Sequence, residues 1–274
     1  MNLSPNDLIQ SGKRGLIAGP HETEDAFLKR IEKIEDLYSN PPKECDHFLT
    51  DTDWQEPLQK IEELFEVRPD WIVSYYSDAK LAFFQAAATW IVDRQGEALP
   101  LIQLKKRFSE KKSELRADIL THEAVHAVRA RFKEPFFEEF FAYASSRNPF
   151  RRFFGPLFQR PFEPWLFLFL FLLPAVAEMG RLYFPEKEGL WTLLFWLPWA
   201  FASFLFLRLL IGRGLLCLAS YKLRLHKIAS GKERAFLLHL TDYEIFRCAL
   251  LPFKAFLKGD SSLRWRQIRA IFKS

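Results

Sequence analysis

Residues 113–146 read SELRADILTHEAVHAVRARFKEPFFEEFFAYASS, and this stretch decides what kind of chain is present. Leu115, Ile119, Leu120, Ala124, Val125 and Val128 recur at helical spacing with charged residues between them, which predicts an amphipathic helix from about Ser113 to Arg131. Pro135 breaks it, and FFEEFFAYASS resumes a helical pattern after a very short gap. Two helices joined so tightly must turn back on one another.

Inside the first helix, His122-Glu123-Ala124-Val125-His126 spells HExxH. A spacing of four brings both imidazoles onto one face, one above the other, so that both can reach a single zinc ion, with Glu123 placed to take a proton from water activated there. Six histidines and 22 glutamates in 274 positions would produce the pattern by chance in roughly one such chain in a hundred. Context raises the signal. A catalytic zinc needs a third protein ligand, which Glu138 or Glu139 could supply from the following helix. The alternative is two surface histidines on a polar helix with a solvated glutamate pair, but phenylalanine pairs on both sides of Glu138-Glu139 argue against a purely solvated face.

THEAVHA followed by FEEFFAYASS resembles the gluzincin metallopeptidases, in which a glutamate on a following helix completes HExxH, often in an ExxA setting. The compact members are the nearest likeness, and the company of apolar helices is similar to membrane-bound peptidases of the heat-shock and CAAX-processing types. The resemblance covers about Trp71 to Ser146. It implies a Zn2+ cofactor, Glu139 as third ligand with Glu138 as substitute, Glu123 as general base, and a peptide or protein substrate. It also implies a downstream oxyanion stabiliser, for which His239 and Tyr243 are candidates. The gap from His126 to Glu139 is shorter than in the thermolysin type.

Working outward on the N-terminal side, Trp71 opens short β-branched and aromatic runs: WIVSYY, LAFFQAAATWIV and ALPLIQL. They are divided by Ser77-Asp78-Ala79-Lys80 and Asp93-Arg94-Gln95-Gly96-Glu97, which predicts an antiparallel meander of three strands. Ala86-Ala87-Ala88 leaves a helical middle run as an alternative. Gluzincins place such a sheet before the active-site helix, and its edge strand can take up substrate as an added strand. Farther out, residues 22–38 read as an amphipathic helix ended by Asn40-Pro41-Pro42, and a second helix is expected from about Glu56 to Val67.

On the C-terminal side, RNPFRRFFGPLFQR at 147–160 has the mixture of Arg, Phe, Pro and Gly expected of chain skirting a membrane surface. Trp165 to Ala177 and Leu190 to Leu207 are uncharged, and predict a hairpin of two membrane helices joined by a loop from Glu178 to Gly189. The first run is short for a span and must extend past Glu178 or tilt its ends. Two buried helices of a large soluble core are the alternative. Arginines flank the outer ends of the pair, and positive-inside bias then puts both termini and the active site in the cytoplasm. Beyond the hairpin, Thr241-Asp242-Tyr243-Glu244 has capping-box spacing. The final SSLRWRQIRAIFKS suits either an anionic bilayer or the protein's own surface.

The fold expected is therefore α+β: a small antiparallel sheet, an HExxH helix with a following ligand helix, a transmembrane helical hairpin and C-terminal helices. The segments are 1–52 (helical), 53–146 (metallopeptidase-like), 147–162 (basic and aromatic, interfacial), 163–212 (hairpin) and 213–274 (helical). Thirteen of the 29 phenylalanines fall between Phe132 and Phe171, marking the greasy centre of an otherwise charged chain. A net charge of +5 with no recognised motif gives no case for nucleic acid. Cys45, Cys217 and Cys248 are too scattered for a disulfide framework or thiolate zinc site, and the first residues lack a signal peptide's apolar stretch. The partners expected are a peptide substrate and a lipid bilayer. A non-enzymatic membrane protein docking partners or lipid, its HExxH coincidental or only metal-binding, is the rival reading.

Overall fold

Ser4 opens the first element: its hydroxyl accepts from the Asp7 amide while Asp7 reaches back, and Pro5 pre-sets the first turn, so α1 runs Pro5–Lys13. Sequence reading passed over this capping box. Thr23 caps α2 (Glu24–Ser39), and Thr50 with Asp53 opens α3 (Asp51–Phe65), earlier than periodicity alone suggested. The computed structural model describes residues 3–40, 48–82, 85–94, 97–109, 114–229, 231–256 and 261–272. Pro41-Pro42, Cys45, the Gln95-Gly96 turn and the expected helix start at Ser113 lie outside these described residues.

Three strands follow: β1 (Ser74–Tyr76), β2 (Ala87–Arg94) and β3 (Glu97–Leu104). Their order is β1-β3-β2, with β2 and β3 antiparallel and β1 parallel to β3, Ser74 opposite Ile102. The sheet is thus mixed, correcting the expected antiparallel meander. The reason lies in Gln103, a buried residue of β3 whose amide donates to the carbonyls of Ser77 and Ala79 at 2.9 and 2.7 Å. Those bonds draw the chain leaving β1 across the end of β3, and Lys80 turns it with φ of 62°. β2 pairs with the other side of β3 and is an edge of the sheet.

The helices after the sheet are α4 (Glu114–Arg129), α5 (Glu138–Ala144), α6 (Pro149–Phe154), α7 (Glu163–Leu170), α8 (Leu173–Tyr183), α9 (Glu188–Leu225), α10 (Glu233–Leu238), α11 (Asp242–Leu250), α12 (Phe253–Phe256) and α13 (Leu263–Phe272). With the mixed sheet they make an α+β fold dominated by helix. α4 packs between α3 and the sheet, and one buried apolar cluster runs from Leu8 through Leu104, Leu120 and Phe141 to Ile268. The final helix joins it: Gln267 is fully buried and bonds Ala18 N, Ser11 Oγ and Leu16 O, so α13 lies against α1.

α7, α8 and α9 form an antiparallel hairpin, as three contacts along its length show. Arg208 bonds both oxygens of Glu163 at 2.7 Å, Trp199 meets Phe171, and Trp191 lies on Gly180. The turn lies at Phe184–Lys187 rather than across Glu178–Gly189, because Glu178 and Arg181 pair along α8 at 2.7 Å and stay helical. Glu163–Tyr183 and Pro185–Leu225 are long and apolar enough to cross a membrane, and only 17% of the apolar window in each is buried by the rest of the chain. Two buried helices of a soluble core would show the opposite. α9, at roughly 1.5 Å per residue, is about 57 Å long, nearly twice the hydrocarbon thickness of about 30 Å. Its last turns bury Leu209, Gly212, Leu215, Ala219 and Leu223 against the rest of the protein.

Candidate metal centre

α4 carries HExxH with its buried face, Ile119, Leu120, Ala124, Val125 and Val128, in the core; Leu115 points outward. The histidines lie at the border of that face. Their position depends on the return of the chain from α4 into α5, which is pinned by a residue far along the sequence. Asp242, the first residue of α11, accepts from the Phe136 and Phe137 amides at 2.8 and 3.4 Å and from Arg129 Nη2 at 3.3 Å. Arg129 is fully buried and also donates to Leu238 O and Leu240 O. On the opposite side Gly212 of α9 meets Phe140, where any Cβ would overlap the ring. The first turn of α5 is held between these supports with Glu138 and Glu139 facing α4.

The result is convergence. The Nε2 atoms of His122 and His126 are 3.2 Å apart, and the Glu139 oxygens stand 3.8 and 3.6 Å from them. Two ligand atoms about 2.1 Å from a tetrahedral ion are separated by roughly 3.4 Å, so the spacing is that of a zinc ligand set. On the far side of one ring, His126 Nδ1 meets Glu138 Oε1 at 2.7 Å. That partner fixes the ring so that His126 Nε2, once unprotonated, faces the same point as His122 Nε2. Side chains of the three are 17–21% exposed, so the point is reachable from outside.

The electrostatics are unbalanced in the same sense. Burial pulls His126 down, yet the Glu138 hydrogen bond and the charges of Glu139 and Glu123 outweigh it and raise it to about 9. Burial lifts Glu139 to about 7 against the pull of His126, with Glu123 and Glu138 adding to the rise. Burial and the neighbouring His126 hold His122 well below its ordinary value. Three carboxylates crowd two imidazoles, and among the described residues no Lys or Arg within 4 Å pairs with any of the three. A divalent cation fits this donor set.

Glu123 sits beside the convergence point, not on it. Thr89, on the edge strand β2, donates to Glu123 Oε2 at 2.7 Å and contacts the Glu123 carbonyl at 3.1 Å, so the sheet orients this carboxylate. Glu138, the substitute ligand of the sequence reading, is occupied with His126 Nδ1.

Neither oxyanion candidate is brought to the cluster. His239 is buried, with Nδ1 on the Ala235 carbonyl and its ring edge-on to Phe272, and burial pushes it down to about 4. Tyr243 is exposed beside Arg247. The capping box accounts for their neighbourhood: Thr241 and Glu244 form it. The tyrosine that does reach the site is Tyr143, whose ring lies edge-on to His122 at 4.5 Å and whose hydroxyl bonds Arg151 of α6. Its signal was available, since Tyr143 follows Glu139 by one helical turn and shares its face.

The chain matches no protein-family model, has no significantly similar curated protein and no significantly similar solved structure.

Proposed function

We propose that the protein is a zinc-dependent peptidase anchored in a membrane by the α7–α9 hairpin. The observation that carries this reading is the convergence of the two Nε2 atoms and Glu139, with Glu138 on the far nitrogen of His126. His122, His126 and Glu139 would hold the ion, which when bound polarises a carbonyl oxygen and lowers the pKa of water. The chain's own groups then have defined tasks. Glu123, steadied by Thr89, takes the proton of the attacking water and returns it to the departing amine nitrogen. β2, an edge strand whose Thr89 touches Glu123, offers backbone groups on which an extended peptide can be laid beside that carboxylate. Glu138 holds His126 in one tautomer.

The unburied apolar faces of both helices support a hairpin in the bilayer, and the arginine-rich flanks support a cytoplasmic site. Purified protein should carry one zinc per chain, lost in His126→Ala. Glu123→Gln should keep the zinc and lose about 10²- to 10⁴-fold in hydrolysis of a quenched fluorogenic peptide library. Equal zinc in wild type and His126→Ala would defeat the site, and undiminished hydrolysis in Glu123→Gln would defeat the mechanism. Orientation is checked with single cysteines at Glu186 and Tyr38 in a cysteine-free background: an impermeant thiol reagent on intact cells should reach the first alone.

A further inference from the structure

The hairpin and the candidate metal centre share α9, so the height of one above the other can be read along a helix axis. At the base of the hairpin the buried carboxylate of Glu163 receives Arg208, which also donates to Leu157 O. From Trp165 to Ala177 and from Leu190 to Leu207 the two arms carry no charge, so this ion pair marks where the uncharged stretch of both arms ends. Gly212, which receives Phe140 next to Glu139, is four residues farther along α9, or about 6 Å. Arg213, about 7.5 Å beyond Arg208, donates to Phe153 O at 2.6 Å and to Arg152 O at the end of α6. Ligand helix and α6 therefore both stand roughly one to one and a half turns from the end of the uncharged stretch.

α6 and the chain around it suit that height. Residues 147–162, RNPFRRFFGPLFQRPF, hold four arginines and no acidic residue. Arg147 is engaged with Glu56, Glu114 and Asp118, whereas Arg151, Arg152 and Arg160 are exposed, as are Phe150, Phe153 and Phe162. Exposed rings interleaved with guanidinium groups, continuous with an apolar hairpin, complement the acyl and headgroup layers of an anionic bilayer. The same segment borders the metal centre: Arg151 bonds the Tyr143 hydroxyl, Tyr143 lies on His122, and Gly155 leaves room for the Tyr143 ring.

We infer that the 147–162 segment is a foot resting on anionic phospholipid, and that the peptide presented to His122, His126 and Glu139 is the membrane-proximal segment of a polypeptide anchored in that same bilayer. The inference rests on the peptidase and hairpin readings above and adds the substrate class. At about 3.3 Å per extended residue, the height of the site corresponds to a few residues of chain beyond an anchor.

The full-length, zinc-loaded protein in vesicles of phosphatidylcholine and phosphatidylglycerol provides the test. One unstructured reporter sequence is supplied free and also fused to a transmembrane helix in the same vesicles. The anchored form should be cut about 10²-fold faster or more, with scission confined to the first ten or so residues from the anchor. Equal rates, or cuts scattered along the reporter, would overturn the substrate class while leaving the peptidase standing. No cleavage of either form beyond the Glu123→Gln background would overturn the peptidase reading and this inference with it. A second readout needs no activity: a nitroxide at Phe150→Cys in a cysteine-free background should collide more with dissolved oxygen than with a water-soluble nickel chelate. Free access to the chelate, as at an exposed control on Tyr38 of α2, would overturn the foot. Shielding from both quenchers would assign the surface to a protein partner and overturn it equally.

Discussion

Two groups of buried charge, one around Glu244 and Arg264 and one between α4 and α5, are built on opposite rules. In the C-terminal group Glu244 has its counter-charge in the chain, in Arg264. Glu244 receives both terminal nitrogens of Arg264 at 2.6 and 2.7 Å, the Trp265 indole at 2.7 Å and the Thr241 amide at 2.9 Å. Burial would raise Glu244, but the Arg264 pair overrides it and holds the carboxyl below its usual range. In the α4–α5 group the carboxylates face imidazoles and one another, and His126 and Glu139 move to about 9 and about 7. A closed ledger of charge supports a fold, and an open one calls for a cation from outside. The difference separates structural from functional burial better than burial itself does.

The largest expected effect tests the closed group. Arg264→Met should strand the Glu244 carboxylate in the core and cost about 3 to 5 kcal/mol, seen as a marked fall in thermal stability in detergent, while the folded fraction still binds one zinc. Adding Glu244→Leu should recover part of that loss, because it removes the stranded charge, while the Thr241 amide and the Trp265 indole lose their acceptor. In zinc-free protein Glu139→Gln should do the reverse and leave the melting temperature unchanged or raise it, since it thins a crowd of like charges. A loss with Glu139→Gln as large as with Arg264→Met would erase the distinction between the two groups.

How much of this was legible depended on the range of the interaction. HExxH, the turn at Pro135 and the Thr241/Glu244 box are written in spacings of three to four residues, and each is found where local chemistry puts it. The hairpin was legible because an uncharged run needs no partner to be recognised. The pairing of β1 was not, since it is set by Gln103 capping carbonyls 24 and 26 residues earlier in the chain. The support of the site was hidden for the same reason: Asp242 fastens Phe136 from 106 positions away, and α10 carries His239 inward against Ala235 and Phe272. The downstream oxyanion stabiliser implied by the resemblance drew attention to His239 and Tyr243, whereas Tyr143, one turn after Glu139, is the aromatic group at the site.

A smaller effect separates the two glutamates of the open group. Glu138 touches His126 Nδ1, not the convergence point, so Glu138→Gln should weaken zinc by about 10- to 100-fold and still reach one ion per chain at saturation. Glu139→Gln should bind more weakly than that variant in competition with a chromogenic chelator. The opposite ranking would exchange their roles.

The last effect is graded with pH, about tenfold at each unit, and follows from the same imbalance. With His126 raised to about 9, the zinc-free protein holds a proton there at neutral pH, and binding an ion at Nε2 must displace it. Glu139, near 7, carries a second proton in more acidic solution. His122, held low by burial, has none to lose at neutral pH. Affinity should therefore climb with pH by about tenfold per unit between roughly 7 and 9, more steeply below 7, and level off above 9. Calorimetry at pH 8 in two buffers of different ionisation enthalpy should count close to one proton released per zinc bound. A count of zero would mean that His126 is already unprotonated without the ion, and that the carboxylates around it do not form the open group on which the contrast with Glu244 and Arg264 depends.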